Sequence, residues 1–296
     1  MSTNSERRAN AKRKLDQQME QRAAAARKQR LVLVIAGAVV AVALIVGVVF
    51  TVLHDRGSGN INAGKPDTSQ SSAAGDAPKK PAGIAGELPK FTASPTLGSN
   101  CQYPTSRQPA SKKVEPPRSG KVPTEPAEVS VSMLTDQGPI GLILNNAQSP
   151  CTVNSFISLG NKDYFNDTQC HRLTTSPSLS VLQCGDPTGD GTGGPGYQFA
   201  NEYPTDQYAA DDLGSQQPVT YPRGTLAMAN AGPGTNGSQF FLVYKDSMLP
   251  PQYTVFGTIQ KDGLDTLDKI AEAGVKGGGT DGAPVTKVTI KSVRSD

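Results

Sequence analysis

Residues 224–242 read GTLAMANAGPGTNGSQFFL. The run holds no charged residue. Thr225-Leu-Ala-Met-Ala229 has the short apolar character of a buried strand, and Phe240-Phe-Leu-Val-Tyr244 that of a second. Between them, Asn230–Ser238 is dense in the Gly, Pro and Asn that set turns and permit positive φ. Composition alone therefore gives a loop joining two core strands. Phe240 and Phe241 are neighbours on a strand and must face opposite ways, one to the core and one to a surface.

The flanking chain extends this pattern. Val129-Ser-Val-Ser-Met-Leu134 alternates as a half-buried strand, Asp136–Pro139 is a turn, and Ile140–Leu144 returns as the second arm of a hairpin. Pro150–Leu159 reads as a helix, with Thr152 as N-cap, Val153, Phe156 and Ile157 on one face, and Gly160 as the stop. Leu264, Leu267, Ile270 and Ala271 mark a second helix ended by Gly274. Val285–Val293 alternates as a last strand. The class is mainly β with two helices.

Two runs carry a family resemblance. Met228–Phe241, MANAGPGTNGSQFF, resembles the signature of the cyclophilins. Cys170-His-Arg172, followed by a hairpin, Gln183-Cys-Gly-Asp186 and Gly191-Thr-Gly-Gly194, is similar to the family's His-Arg, Gln-Gly-Gly-Asp and Gly-Thr-Gly-Gly runs. The resemblance implies an eight-stranded antiparallel barrel capped by two helices, and catalysis of X–Pro cis-trans isomerisation on proline-containing polypeptides. It assigns the catalytic arginine to Arg172 and its hydrogen-bonding partner to Gln183. The proline slot falls to Val181, Phe241, Leu249 and Tyr253, with Leu179 or Ser180 from the hairpin. Ala229 and Asn230 bind substrate backbone through main-chain groups, while Ala231, Gln239 and Gly191 line the groove. The reaction moves no proton between heavy atoms and requires no metal or cofactor, so His171 reads as structural.

Three departures stand out. On the hairpin, which is about three residues longer here, Ser180 or Leu179 replaces the aromatic of the family. Met248 replaces the tryptophan of the human-type enzymes, which implies weakened cyclosporin binding. Tyr253 stands where many members have histidine. A module that binds proline peptides without catalysis is the alternative reading.

The N-terminal part is of another kind. Residues 1–30 hold nine Lys/Arg and three Asp/Glu, a net of +6, so the rest of a chain of net charge +3 carries −3. The basic character lies outside the folded part, which argues against nucleic-acid binding. Leu31–Leu53, LVLVIAGAVVAVALIVGVVFTVL, has no charge over 23 residues, enough for a helix to cross a bilayer. It is too long for a signal-peptide core and lacks a small-residue cleavage site. Nine positive residues precede it and only Arg56 follows closely, so residues 1–30 are expected in the cytoplasm and the remainder outside the cell membrane. Residues 54–125, rich in Gly, Pro, Ser and Lys, read as a disordered linker before a domain at 126–296. Within it Leu88, Phe91, Leu97, Cys101 and Tyr103 are candidates to pack on that domain.

The four cysteines all follow the apolar segment, where an oxidising compartment permits disulfides. Four cysteines allow three pairings; Cys170 and Cys184 lie on the two arms of the hairpin and are expected to be bonded, which leaves Cys101–Cys151 to tie the linker to the first helix, with four buried free thiols as the alternative. With two histidines and no CxxC pair, no metal site is expected.

Overall fold

The computed structural model describes residues 86–296 apart from residue 210. The basic segment 1–30, the apolar segment 31–53 and the linker to residue 85 lie outside the described residues. Among the described residues, no helix is long and apolar enough to cross a membrane.

In chain order the strands are β1 (Glu128–Thr135), β2 (Gly138–Asn145), β3 (Arg172–Thr174), β4 (Val181–Cys184), β5 (Val219–Tyr221), β6 (Thr225–Met228), β7 (Phe240–Val243), β8 (Ser247–Leu249), β9 (Val255–Ile259), β10 (Asp281–Gly282) and β11 (Ile290–Ser295). Helix α1 spans Pro150–Asn161 and α2 spans Lys261–Glu272. One sheet has the order β10-β3-β4-β7-β6-β9-β2-β1-β11, and β5 with β8 forms a separate pair. The main sheet is antiparallel and curled. Gln169 forms single bridges with Asp186 just past β4 and with Thr289 just before β11.

Among the described residues the main sheet has nine strands rather than the expected eight. The additional strand is the two-residue β10, which pairs with β3 from within a glycine-rich run that reads as loop. The last strand also begins later than expected: β11 starts at Ile290, and Val285 is half exposed.

Helix α1 starts at Pro150, so Thr152 is not its N-cap. The free N–H groups of its first turn are met from a distance. The Glu202 carboxylate accepts hydrogen bonds from Cys151 N at 3.0 Å, Thr152 N at 2.8 Å and the Thr152 hydroxyl at 2.7 Å. Gly160 is not the stop either. It lies within α1 where β11 crosses, and a Cβ there would sit 3.0 Å from the Val293 carbonyl. Glycine permits that approach. Helix α2 buries Leu267 and Ile270 and ends, as expected, before Gly274 at φ +78°.

The linker reading fails over residues 86–125. Cys101, Tyr103 and Val122 are buried, and Cys101 pairs with Gly120 through two 2.8 Å backbone hydrogen bonds. The Tyr103 ring meets Tyr197 and Phe199 edge-on, and its hydroxyl donates to Cys151 O at 2.7 Å. Phe91 packs on Tyr203 at 5.6 Å, and the Tyr203 hydroxyl donates to Pro89 O. Proline-rich composition signals low intrinsic order, but these long-range contacts supply the missing stabilisation.

Both disulfides are present, Cys101–Cys151 and Cys170–Cys184. The β3–β4 register places Cys170 opposite Gly185, so the second bond runs diagonally between the arms.

Candidate active site

Strands β6 and β7 are the two strands of the opening stretch, and they pair directly, with Ala227 opposite Phe241 and Met228 opposite Phe240. The ladder continues through β4, where Gln183 lies opposite Phe241, and β3, where Arg172 lies opposite Gln183. Directly opposed residues share a face of a sheet. Arg172, Gln183, Phe241 and Ala227 therefore form one transverse row on one face.

The two faces have separate cores. Leu173, Leu182, Leu226, Phe240 and Leu242 belong to the main cluster, where Phe240 meets Phe156 and Phe165 edge-on. Val181, Ala227, Phe241 and Val243 belong to a second cluster with Tyr221 and Val255, and Leu179, Ala229, Leu249 and Tyr253 pack against it. The expected division between Phe240 and Phe241 holds, and the residues read as a proline slot are brought together. The hairpin contribution is Leu179. The Ser180 hydroxyl instead donates to Ser176 O at 3.0 Å, back within the hairpin.

The slot's rim is fixed by polar contacts. Tyr221 donates its hydroxyl to Tyr253 O at 3.0 Å, and the Tyr253 ring meets Phe241 edge-on at 5.8 Å. Leu249 is held on β8, opposite Val219 of β5. Met248, the next residue, is exposed.

Above the slot runs a chain of side-chain hydrogen bonds. Arg172 Nη1 donates to Gln183 Oε1 at 3.1 Å, and Gln183 Nε2 donates to Gln239 Oε1 at 2.9 Å. Gln239 Nε2 donates in turn to the carbonyls of Gly191 and Gly193 at 3.0 and 2.9 Å. On its other side Arg172 gives Nε and Nη2 to the two carboxylate oxygens of Asp281, each at 2.7 Å. These bonds hold the Asp281 carboxyl below the ordinary carboxylate range. The guanidinium has five N–H groups, and three are committed in this way. One hydrogen on each Nη is left for a ligand.

Among the main-chain groups, Ala229 N–H already donates to Gln239 O at 2.9 Å, and Ala231 N–H donates to the Thr235 hydroxyl. Asn230 is different. Its side chain is tied to Gln252 O and to Gly232 N, while its own N–H and C=O are not used among the described residues. The expectation for Asn230 fits this geometry; for Ala229 only the carbonyl remains. His171 sits beside Gly191 with its Nδ1 buried and unpartnered, and burial pushes its pKa down.

Asp281 and Tyr221 were not among the residues read from sequence. Asp281 lies in the run GGGTDGAP, where an acidic residue among glycines reads as a turn. Tyr221 reads as an ordinary strand aromatic.

A family model described as "Cyclophilin type peptidyl-prolyl cis-trans isomerase/CLD" matches residues 130–295. A Mycobacterium leprae chain named "Probable peptidyl-prolyl cis-trans isomerase B" is 62% identical over 296 residues, covering 100% of both chains. A Mycobacterium tuberculosis chain of the same name is 71% identical over 209 residues, 71% of this chain and 68% of that one. A crystal structure of a Cryptosporidium parvum cyclophilin-type isomerase shares 30% identity over 57% of this chain and 98% of its own, with a TM-score of 0.45.

Proposed function

This chain belongs to the cyclophilin-type peptidyl-prolyl cis-trans isomerases, and from that premise we propose that it isomerises X–Pro bonds in exported polypeptides, with Arg172 acting on the twisted amide. Rotation about an amide bond meets a barrier of about 18–20 kcal/mol because resonance is lost. Uncatalysed X–Pro bonds take tens to hundreds of seconds, slow enough to limit folding. At the twisted geometry the prolyl nitrogen regains a lone pair. A fixed N–H donor bonds that nitrogen, or the neighbouring carbonyl, more strongly there than in the planar ground state, which is what lowers a barrier.

The observation that carries this reading is the transverse row. It sets the two uncommitted Arg172 hydrogens on the same face as the apolar slot around Phe241. The slot takes the proline ring, Gln183 and Gln239 hold the guanidinium in place, and Asn230 offers main-chain groups to the peptide. Peptides with a cis–trans equilibrium, followed by NMR exchange with the full chain, test it. Arg172→Ala is expected to lower kcat/KM by roughly 10²-fold or more, the scale of losing a preorganised donor. Equal rates in Arg172→Ala and wild type would overturn the assignment.

Two further parts of the proposal rest on sequence. The apolar segment 31–53, with its basic flank, supports a single membrane span with the domain on the outer side, and two disulfides suit that oxidising location. Protease digestion of intact and opened spheroplasts tests it, with degradation of the domain expected in both. Met248 supports weakened cyclosporin binding, because a thioether cannot supply the N–H of an indole. Met248→Trp is expected to tighten it.

A further inference from the structure

We propose that residues 104–112 form a specificity wall of the peptide groove, selecting a neutral hydrogen-bonding side chain beside the X–Pro bond. The proposal rests on the isomerase reading and concerns the wall that the segment ahead of the matched domain adds to the groove. A cavity of about 370 Å³ adjoins Gln183 and Gln239; Thr192, Asn230 and Thr235 line it on one side, and Ser106 and Gln108 on another. The latter two precede the 130–295 stretch that the family model matches.

This wall is built into the fold. Gln198 N donates to Pro104 O, Ser106 N to Gly196 O and Ser111 N to Gly194 O, each at 2.9 Å, and Gly194 N donates to the Ser111 hydroxyl at 3.0 Å. Gly196 has φ +82°, and a Cβ on it would lie 2.9 Å from Ala110 N, so only glycine lets the strap lie this close. The Cys101–Cys151 bond anchors the strap before its start, and Lys112 Nζ anchors its end on Asp163 O at 2.6 Å. Gln108 donates from Nε2 to the Thr192 carbonyl across the cavity mouth and from its backbone N–H to the Ser106 hydroxyl.

The lining decides the ligand class. It includes no Asp, Glu, Lys or Arg. A charged side chain entering it would lose water without gaining a partner. Among the described residues the Gln108 Oε1 accepts no hydrogen bond and the Ser106 hydroxyl donates none, so a large aliphatic side chain would strip both of water without replacing it, and sites built to hydrogen-bond discriminate strongly against analogues that cannot. Serine, threonine, asparagine and glutamine side chains meet the requirement.

The test compares kcat/KM of the full chain on Ala–Pro peptides that differ at one flanking residue: Gln, Ser, Gly, Leu or Lys. Wild type is expected to favour Gln and Ser over Leu and Lys by about tenfold or more at one flanking position. In Gln108→Ala the Gln/Gly ratio is expected to fall at least about fivefold, whereas Arg172→Ala lowers all peptides alike. A wild-type preference for Leu or Lys, or a Gln/Gly ratio unchanged in Gln108→Ala, overturns the proposal. The Gln108 side-chain amide resonance is an independent readout. It is expected to shift with the Gln peptide and stay fixed with the Gly peptide, and the reverse also overturns the proposal. A chain that binds peptides but isomerises none would sink the isomerase reading, while that resonance still decides the subsite.

Discussion

Asp281 grips Arg172 with both carboxylate oxygens, at 2.7 Å from Nε and 2.7 Å from Nη2, across 109 residues of sequence. The pair fixes the plane of the guanidinium and so the direction of its two uncommitted hydrogens. Asp281 is on this view a positioning residue. Asp281→Asn is expected to lower kcat/KM roughly tenfold, the scale of about 1.4 kcal/mol, with the loss in kcat rather than KM. A pH profile separates this from a general structural effect. The folded-state pKa of Asp281 is depressed, so the ion pair is complete above the usual aspartate value of 3.8 and is lost as pH falls through the lower folded value. NMR exchange rates are expected to be flat near neutrality and to fall in strong acid for wild type, and to show no acid step in Asp281→Asn. Wild-type kcat in the asparagine variant would defeat the assignment.

Neighbouring phenylalanines should fail in different ways. Phe240 is wholly buried in the main core, and its loss to Ala is expected to cost about 3–5 kcal/mol of stability. Phe241 belongs to the slot cluster, so Phe241→Ala is expected to raise KM for prolyl peptides several-fold in addition to its effect on stability. Urea unfolding and peptide kinetics on the two variants check this. A larger KM change in Phe240→Ala would reverse the assignment of faces.

Glu202 makes stability depend on pH in the opposite sense to a surface carboxylate. Burial raises its pKa from 4.5 to about 7, outweighing the three donors at the start of α1. The folded state then keeps a proton that the unfolded chain releases. Its contribution favours folding at low pH and is withdrawn as pH rises from about 4.5 to about 7, by on the order of 3 kcal/mol in total. Glu202→Gln cannot ionise. Its Tm relative to wild type is therefore expected to rise across that window, whatever its offset at low pH, and thermal melts at several pH values measure this. A constant difference would show that the carboxyl titrates normally.

The two disulfides should contribute unequally. Cys101–Cys151 spans 50 residues and Cys170–Cys184 spans 14. Closing loops of these sizes restricts the unfolded chain by roughly 4 and 3 kcal/mol respectively. Cys101→Ala/Cys151→Ala is expected to show the greater loss in urea unfolding, and faster amide exchange in 103–112 than Cys170→Ala/Cys184→Ala. Unchanged exchange in that strap would show that its hydrogen bonds hold it without the staple.

The sequence was most informative where local pattern and fold agree. Two apolar runs and a turn-rich insert gave β6, β7 and their loop, and strand periodicity separated Phe240 from Phe241. Arg172 and Gln183 were found through resemblance, because an isolated arginine carries no local signal. Asp281 was missed because its meaning depends on β10 meeting β3, a long-range pairing that neighbouring glycines conceal. Thr152 was misread for a related reason: local capping rules favour a threonine near a proline, whereas the actual acceptor is Glu202, fifty residues away. Residues 86–125 were read as spacer because composition reports propensity and says nothing of contacts made elsewhere.

Strand β7 has a parity. Phe240 and Leu242 face the core, and Phe241 and Val243 face the groove. A substitution therefore alters one side at a time. Inserting or deleting one residue within the strand exchanges the sides beyond that point, sending core residues to the groove and groove residues to the core. An even-numbered length change preserves the frame. Length variants of β7 should thus fall into two classes by odd or even count, with the odd class losing fold and peptide recognition together.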